Sequence, residues 1–487
     1  MGDDSSVAPL LASAEREKTG QPAFGGKTIT FVGSVALLAN NILGPGIFSL
    51  PSMFQESGWL FPLLVLVIFG ALTSVSADLL LHAMRLVPGN GAFGCRVEYT
   101  DAARLLLPHA GYVALQLFFQ LSMLAINCSN IVQTAQVADF LIADVCGQSC
   151  ALRFAGGGTV YNSTWICGDR TACPGADDDG AASACSTPFG DDAQVLSLGF
   201  LLVAVLCIPL GYYNLDDNIV VQNVALAAML VMLLGCFVLF GSVDGGNNRD
   251  VIDFDMGRVP VVGGNLAPVV GVLAFNFALT SSLPSWVNEK REDVDAMRSV
   301  NISIALCVSL FFLIGVLGGA AFKPYFKSDA DMLQMLQKVD NGFARTVVVA
   351  FPFASNLSSI PVFSILARYN LVQSGVVGHR AAGLLAVVVP WLVCVPFYSG
   401  AGFDEIIGWS GLFLVPVVNF LAPPVFFAYA VRRYGPGGAQ VASPHCGHLT
   451  QQQGRRHLRV AAVAFGATLA IVLFAIVWGV ANGQDYS

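Results

Sequence analysis

The sequence predicts an all-α membrane protein of about 11 transmembrane helices, built as two inverted halves of five with helices 1 and 6 discontinuous. Three observations lead there. The 487 residues are 55% hydrophobic and only 11% charged, with 34 Phe and a mean hydropathy of +0.67, whereas soluble domains carry about 25% charged residues. Apolar runs of membrane-spanning length recur along the chain. Two of them are interrupted, at matched places, by residues that cannot propagate a helix.

The apolar runs fall at residues 29–51, 59–81, 112–137, 194–213, 218–242, 267–287, 299–322, 345–367, 381–399, 405–430 and 459–481. Each approaches the roughly 20 residues a bilayer crossing needs. Helices 1–5 and 6–10 divide into halves at about 29–242 and 267–430, and an odd number of crossings per half makes the halves antiparallel. Helix 11, within 459–487, is appended, and 431–458 is a cytoplasmic loop before it. With the N-terminus in the cytoplasm, 16 Lys and Arg lie inside and 8 outside, as the positive-inside rule requires. Residues 1–28 form a polar, disordered cytoplasmic tail. Met1-Gly2-Asp3-Asp4-Ser5-Ser6 formally fits a myristoylation pattern, against which the two aspartates speak.

Helix 1 is interrupted by Asn40-Asn41-Ile42-Leu43-Gly44-Pro45-Gly46-Ile47. Proline lacks an N–H and glycine gives up backbone entropy, so a Gly-Pro-Gly triplet ends a helix. Helix 6 reads Phe275-Asn276-Phe277-Ala278-Leu279-Thr280-Ser281-Ser282-Leu283-Pro284, where hydroxyl residues and a proline again break an apolar span. Broken helices survive in lipid only where protein or a cavity satisfies the freed groups. Paired breaks in inverted halves therefore point to a midplane binding site. N–H groups of Gly44, Gly46 and Ile47 suit a carboxylate, and carbonyls near Leu43 and along 277–281 suit an ammonium or a small cation. Complementary ends of this kind match a zwitterion. The candidate substrate residues are Ile42, Gly44, Gly46 and Ile47 with Phe275, Asn276, Phe277, Thr280 and Ser281. Asn276 has a second reading as interhelical glue, shared with Asn127, Asn130 and Asn356.

The insertion between helices 3 and 4, about 141–193, holds Cys146, Cys150, Cys167, Cys173 and Cys185 and the sequon Asn162-Ser163-Thr164. It has no His and no common zinc spacing, so it reads as a disulfide-stapled, glycosylated extracytosolic loop. Asp78, His82, Asp139 and Glu289 close helices 2, 3 and 6 at the interfaces. No midplane carboxylate offers a proton path, no helix shows the polar stripe of a channel, and no catalytic constellation or nucleic-acid-binding stretch is present.

The segment from Asn40 to Pro51, followed by Gly58-Trp59, resembles the first-helix signature of the amino acid/auxin permease family, within the APC superfamily. Its sodium-coupled neutral amino acid transporters are the most similar branch. Leu283-Pro284 with Glu289, and Ser359-Ile360-Pro361 with Arg368, resemble their sixth and eighth helices. Two positions depart from the branch: Leu279 stands where many relatives carry a His, and the cysteine-containing loop follows helix 3 rather than helix 5. The resemblance implies a LeuT-like fold and a Na⁺ site made by Asn40 and Ser359, with the Leu43 carbonyl and the Ser358 hydroxyl as further ligands. For the two serines the alternative is bonding back to their own helix. The expected function is secondary-active transport of small neutral L-amino acids by alternating access, with Na⁺ as coupling ion and no other cofactor. Proton coupling, export from a vacuole or lysosome, and amino-acid sensing on the same fold are the alternatives. The expected location is the plasma membrane or a vacuolar or lysosomal membrane, with lipid and an amino acid as partners.

Overall fold

The computed structural model describes residues 25–156, 161–168, 188–189, 195–242, 252–264, 266–323, 332–337, 339, 341–398, 410–435 and 451–481. Among these, eight helices are long and apolar enough to cross a membrane by length and composition: Leu60–Leu86, His109–Cys146, Ile219–Gly241, Val269–Glu289, Ala296–Ala321, Gly342–Gln373, His379–Phe397 and Gln452–Phe474. The three other expected spans are short or irregular. Helix 1 is divided into Phe31–Ile42 and Leu50–Ser57. Helix 4 is the 14-residue Leu198–Gly211. Helix 10 runs through π-helical turns at Ser410–Leu414 and Val417–Leu421 before the regular Ala422–Tyr434. The final helix begins at Gln451, earlier than the apolar run that starts at 459, because its polar first turns continue the same helix.

The breaks are where the sequence puts them. Helix 1 starts at Thr30, whose hydroxyl accepts the Gly33 N–H, and leaves helical geometry at Leu43 (φ −74°, ψ 59°). A 3-10 turn at Pro45–Ile47 follows. Helix 6 runs Ala267–Asn276, opens at Phe277, turns through Thr280–Ser282 and resumes as Leu283–Glu289. Helices 3 and 8 form the wall beside these breaks, joined by Asn127 Nδ2 donating to Ser364 Oγ at 2.9 Å and Asn356 Nδ2 to Gln133 Oε1 at 2.9 Å. Val205, Val224, Val231, Val463 and Val477 stand exposed on helices 4, 5 and 11, the apolar exterior that lipid, not water, covers.

The insertion departs from the all-α expectation. Helix 3 continues to Cys146 and stops at Gly147 (φ 85°), so the loop expected from 141 begins later. Strands β1 (Ser149–Gly156), β2 (Tyr161–Gly168) and β3 (Val195–Ser197) then form an antiparallel sheet in the order β2-β1-β3. Cys150 and Cys167 face each other in the β1–β2 register and are disulfide-bonded. Cys146 is free and exposed, as an odd number of cysteines allows. It sits at a helix end, outside the paired strands. Cys173 and Cys185 lie outside the described residues, and Asn162 lies in β2. Asp139 is fully buried. It accepts hydrogen bonds from Ser149 Oγ (2.7 Å), the Gly199 N–H (2.8 Å) and Tyr398 OH, fastening the sheet to helices 4 and 9. A buried carboxylate is tolerated because donors surround it.

Candidate substrate and ion site

The two breaks meet. A Cβ added to Gly46 would lie 2.7 Å from both Nδ2 and Oδ1 of Asn276, and one on Gly44 would lie 3.5 Å from Asn276 Oδ1. The glycines of helix 1 are thus what lets its unwound turn approach the end of helix 6a. Asn276 is buried, and neither amide atom has a hydrogen-bond partner among the described residues. The reading of Asn276 as glue is therefore overturned. An unpaired buried amide is costly, so it leaves both a donor and an acceptor open to a polar ligand. Thr280 Oγ1, close in sequence on the same break, is also buried without a partner.

The expected backbone donors are partly used up. Gly44 N–H donates to Ile42 O at 2.8 Å and Ile47 N–H to Gly44 O at 3.3 Å, because the break closes into tight turns instead of opening a gap. The carbonyls of the second break are similarly engaged. Phe277 O accepts Leu279 N–H, Ala278 O accepts Ser281 Oγ and Leu279 O accepts Ser282 Oγ. Phe277 itself packs into the core, stacked on Phe69 at 6.5 Å and edge-on to Phe311 at 6.0 Å. Ile42, Ile47, Phe275 and Ser281 are buried around the meeting point.

Three polar residues organise the site without having been singled out from sequence. Asn41 Nδ2 donates to Ser282 Oγ at 3.0 Å, tying helix 1 to helix 6. Asn419 Oδ1, on helix 10, accepts the Ser281 N–H at 2.8 Å. Gln222, on helix 5, accepts from Asn40 Nδ2 at 2.7 Å through its side chain and at 2.9 Å through its backbone carbonyl. Its own Nε2 donates to Ser358 O at 2.8 Å. Buried amides facing an unwound helix were the signal available in the sequence.

Asn40, Ser358 and Ser359 are all buried at the level of the first break. Among the described residues, Asn40 Oδ1 has no partner. Ser358 and Ser359 each donate to Ser355 O at 2.8 Å, so the back-bonded alternative describes their hydroxyl protons, and only their oxygen lone pairs face outward. Neutral oxygens of this kind fit a monovalent cation, and among the described residues Asn40 Oδ1 has no other partner.

A polar network surrounds Glu289, which ends the second part of helix 6 and is fully buried. Arg96 Nη2 reaches Glu289 Oε1 at 2.6 Å, and Arg96 Nε lies 3.4 Å from Glu98 Oε1. Glu98 also accepts from Ser285 Oγ and from Asn288 Nδ2. Asp216 N–H donates to Glu289 Oε2 at 2.9 Å, while Asp216 Oδ2 accepts from Gly26 N–H and Thr28 Oγ1. The segment before helix 1, helix 6b and two interhelical loops are held together there.

Residues 27–166 match the family model described as "Transmembrane amino acid transporter protein". No curated protein matches the chain. Among solved structures, MhsT in complex with L-phenylalanine superposes with a TM-score of 0.57 at 13% identity, over 94% of this chain and 100% of that one. The likeness shows the LeuT-like fold that the family resemblance implied. The apolar helices and the matched family model support an integral, multi-pass membrane protein.

Proposed function

We propose that this transporter carries small neutral L-amino acids by alternating access, binding the substrate where the breaks of helices 1 and 6 meet. The observation that carries the reading is the unpartnered Asn276 amide against Gly44 and Gly46. Its Nδ2 donates to a carboxylate and its Oδ1 accepts from an ammonium, the two ends of a zwitterion. Ile42, Ile47 and Phe275 add apolar surface, and no ionised residue stands among the candidate substrate positions, which supports neutral cargo. The phenylalanine held by MhsT is of the same class.

Sodium is the proposed coupling ion, with Asn40 Oδ1, the Leu43 carbonyl and the Ser358 and Ser359 oxygens as its ligands. The unpartnered Asn40 Oδ1 supports it. A second reading, uptake without sodium, is favoured by the back-bonding of both serines. The N-terminal segment and the Glu289 network are assigned to the cytoplasm and the sheet with Asn162 to the opposite side, on the distribution of Lys and Arg. The membrane is that of the cell surface or of a vacuole or lysosome.

The test is purified protein in liposomes, with a panel of labelled amino acids under separate Na⁺ and H⁺ gradients. Saturable uptake of small neutral amino acids driven by inward sodium is the expected result. Uptake driven by protons alone removes sodium, and binding without flux favours a sensor.

A further inference from the structure

Helix 11 opens with three exposed arginines, Arg455, Arg456 and Arg459, and among the described residues none of them is in an ion pair. Two adjoining cavities run along this stretch. One, of about 450 Å³, lies between helices 2, 7 and 11, with Ser74, Asp78, Met297, Gln453, Arg456 and His457 on its walls. The other, of about 630 Å³, is lined by the three arginines with Gln452 and Gln453. Gln453 and Arg456 line both, so the two form one groove. Ser74 Oγ donates to Asn301 Oδ1 at 2.7 Å, fixing helix 2 to helix 7 beside it. Asp78, the one acid lining either cavity, lies 3.2 Å from His82 Nδ1. The His457 ring is 5.0 Å from that of His82, and its own Nδ1 is buried without a partner among the described residues. Val75, Leu79 and Val460 make the floor apolar.

We propose that this groove holds the headgroup of an anionic phospholipid, with its phosphate on Arg456 and its glycerol end over the apolar floor. The inference is independent of the substrate and ion readings and needs only that the chain spans a bilayer. A guanidinium grips a phosphate through two parallel N–H donors, and an exposed arginine without a carboxylate has them free. Three arginines against one acid leave the groove net positive, which selects anionic over zwitterionic headgroups. The depth agrees. Arg459 is followed at once by Val460, and Val460 and Val463 are exposed on the lipid-facing side of helix 11. From Arg456 to Val463 the helix rises only about 10 Å, so the cations stand at headgroup level beside the acyl chains. A soluble anion would leave the apolar floor unused, whereas the glycerol and first acyl carbons of a lipid cover it. By the distribution of Lys and Arg, this end faces the cytoplasmic leaflet, where anionic lipids gather and basic pockets between helices bind their headgroups. Bound there, the lipid clamps helix 11 onto helices 2 and 7.

The test is the melting temperature of the full-length chain, purified in detergent and titrated with dioleoylphosphatidylserine. Dioleoylphosphatidylcholine and inorganic phosphate are titrated in parallel. The serine lipid should stabilise the wild-type chain saturably and at lower concentration than the choline lipid, and phosphate should not stabilise it. Arg456→Gln should raise the half-saturating concentration of phosphatidylserine about tenfold, the worth of one charge-assisted hydrogen bond. Arg432→Gln, which removes an equal charge from the exposed end of helix 10, should change it by less than about twofold, as expected for a charge outside the groove. Arg456→Lys keeps the charge but not the planar fork, so it should fall between the two, and it carries the test if Arg456→Gln folds poorly. Equal effects of Arg456→Gln and Arg432→Gln would reduce the attraction to diffuse surface charge and overturn the site. Stabilisation by phosphate alone would overturn the lipid as occupant. Indifference between the two lipids would overturn the preference for an anionic headgroup.

Discussion

Gly46 and Asn276 stand so close that a methyl group on the first would sit 2.7 Å from both amide heteroatoms of the second. Contact at that distance forces a shift, and the short Asn side chain has little room to make it. Gly46→Ala should therefore displace the amide and reduce amino-acid uptake by about tenfold or more, the effect of one lost net hydrogen bond to a charged group. Asn276→Ala should abolish the clash but not restore transport. In the double variant the stability loss should be less than the sum of the two single losses, because neighbours that share a contact are not additive. Strict additivity in melting measurements would show that the two residues do not meet.

Arg96 lies between Glu98 and Glu289, both fully buried. Removing the guanidinium leaves two carboxylates facing one another in a dry site. Arg96→Ala is expected to cost about 3–5 kcal/mol of stability, as for other buried pairs broken from one side. It should also loosen that end of the molecule, so Cys95, half-buried beside it, should react faster with a membrane-impermeant thiol reagent. Unchanged labelling would mean that the network does not close that end.

Asp101 caps the short helix Tyr99–Leu106, accepting the Glu98 N–H at 3.2 Å. Burial pushes its carboxyl from 3.8 up to about 7, against the pull of Arg104. The folded state thus holds a proton that the unfolded chain has released. The resulting stability is fully present below the unfolded value and is lost as pH rises through the folded one. Melting temperature should fall from pH 3.8 towards pH 7, and Asp101→Asn, which keeps an acceptor but cannot ionise, should flatten that slope. Equal slopes for the two proteins reject the assignment.

The Cys150–Cys167 bond closes a loop with a sequence separation of 17, for which chain entropy suggests about 3 kcal/mol. Cys150→Ser should destabilise the sheet while leaving the helical core intact. Without reductant, mass spectrometry should find Cys146 alkylated and Cys150 and Cys167 protected. Free labelling of all three would contradict the staple. Loss of a glycan mass on Asn162→Gln would place the sheet on the extracytosolic side.

The membrane character and the two breaks were set locally: composition rules out water as the only solvent, and Gly44-Pro45-Gly46 and the run of hydroxyl residues ahead of Pro284 disfavour a continuous helix. Local rules also found Asn276 as a candidate, because amides are rare inside apolar spans, and the family resemblance added Asn40. They could not tell which amide is satisfied. Only the tertiary structure shows that Asn127 and Asn356 are engaged across helices 3 and 8 while both polar atoms of Asn276 have no partner. Nor could spacing foresee that Gly44 and Ile47 turn their N–H groups inward, or that Gln222, 182 residues from Asn40, completes the bridge to Ser358. Hydrogen-bond partners across a bundle are set by how helices rotate and pack, and chain order carries no record of that.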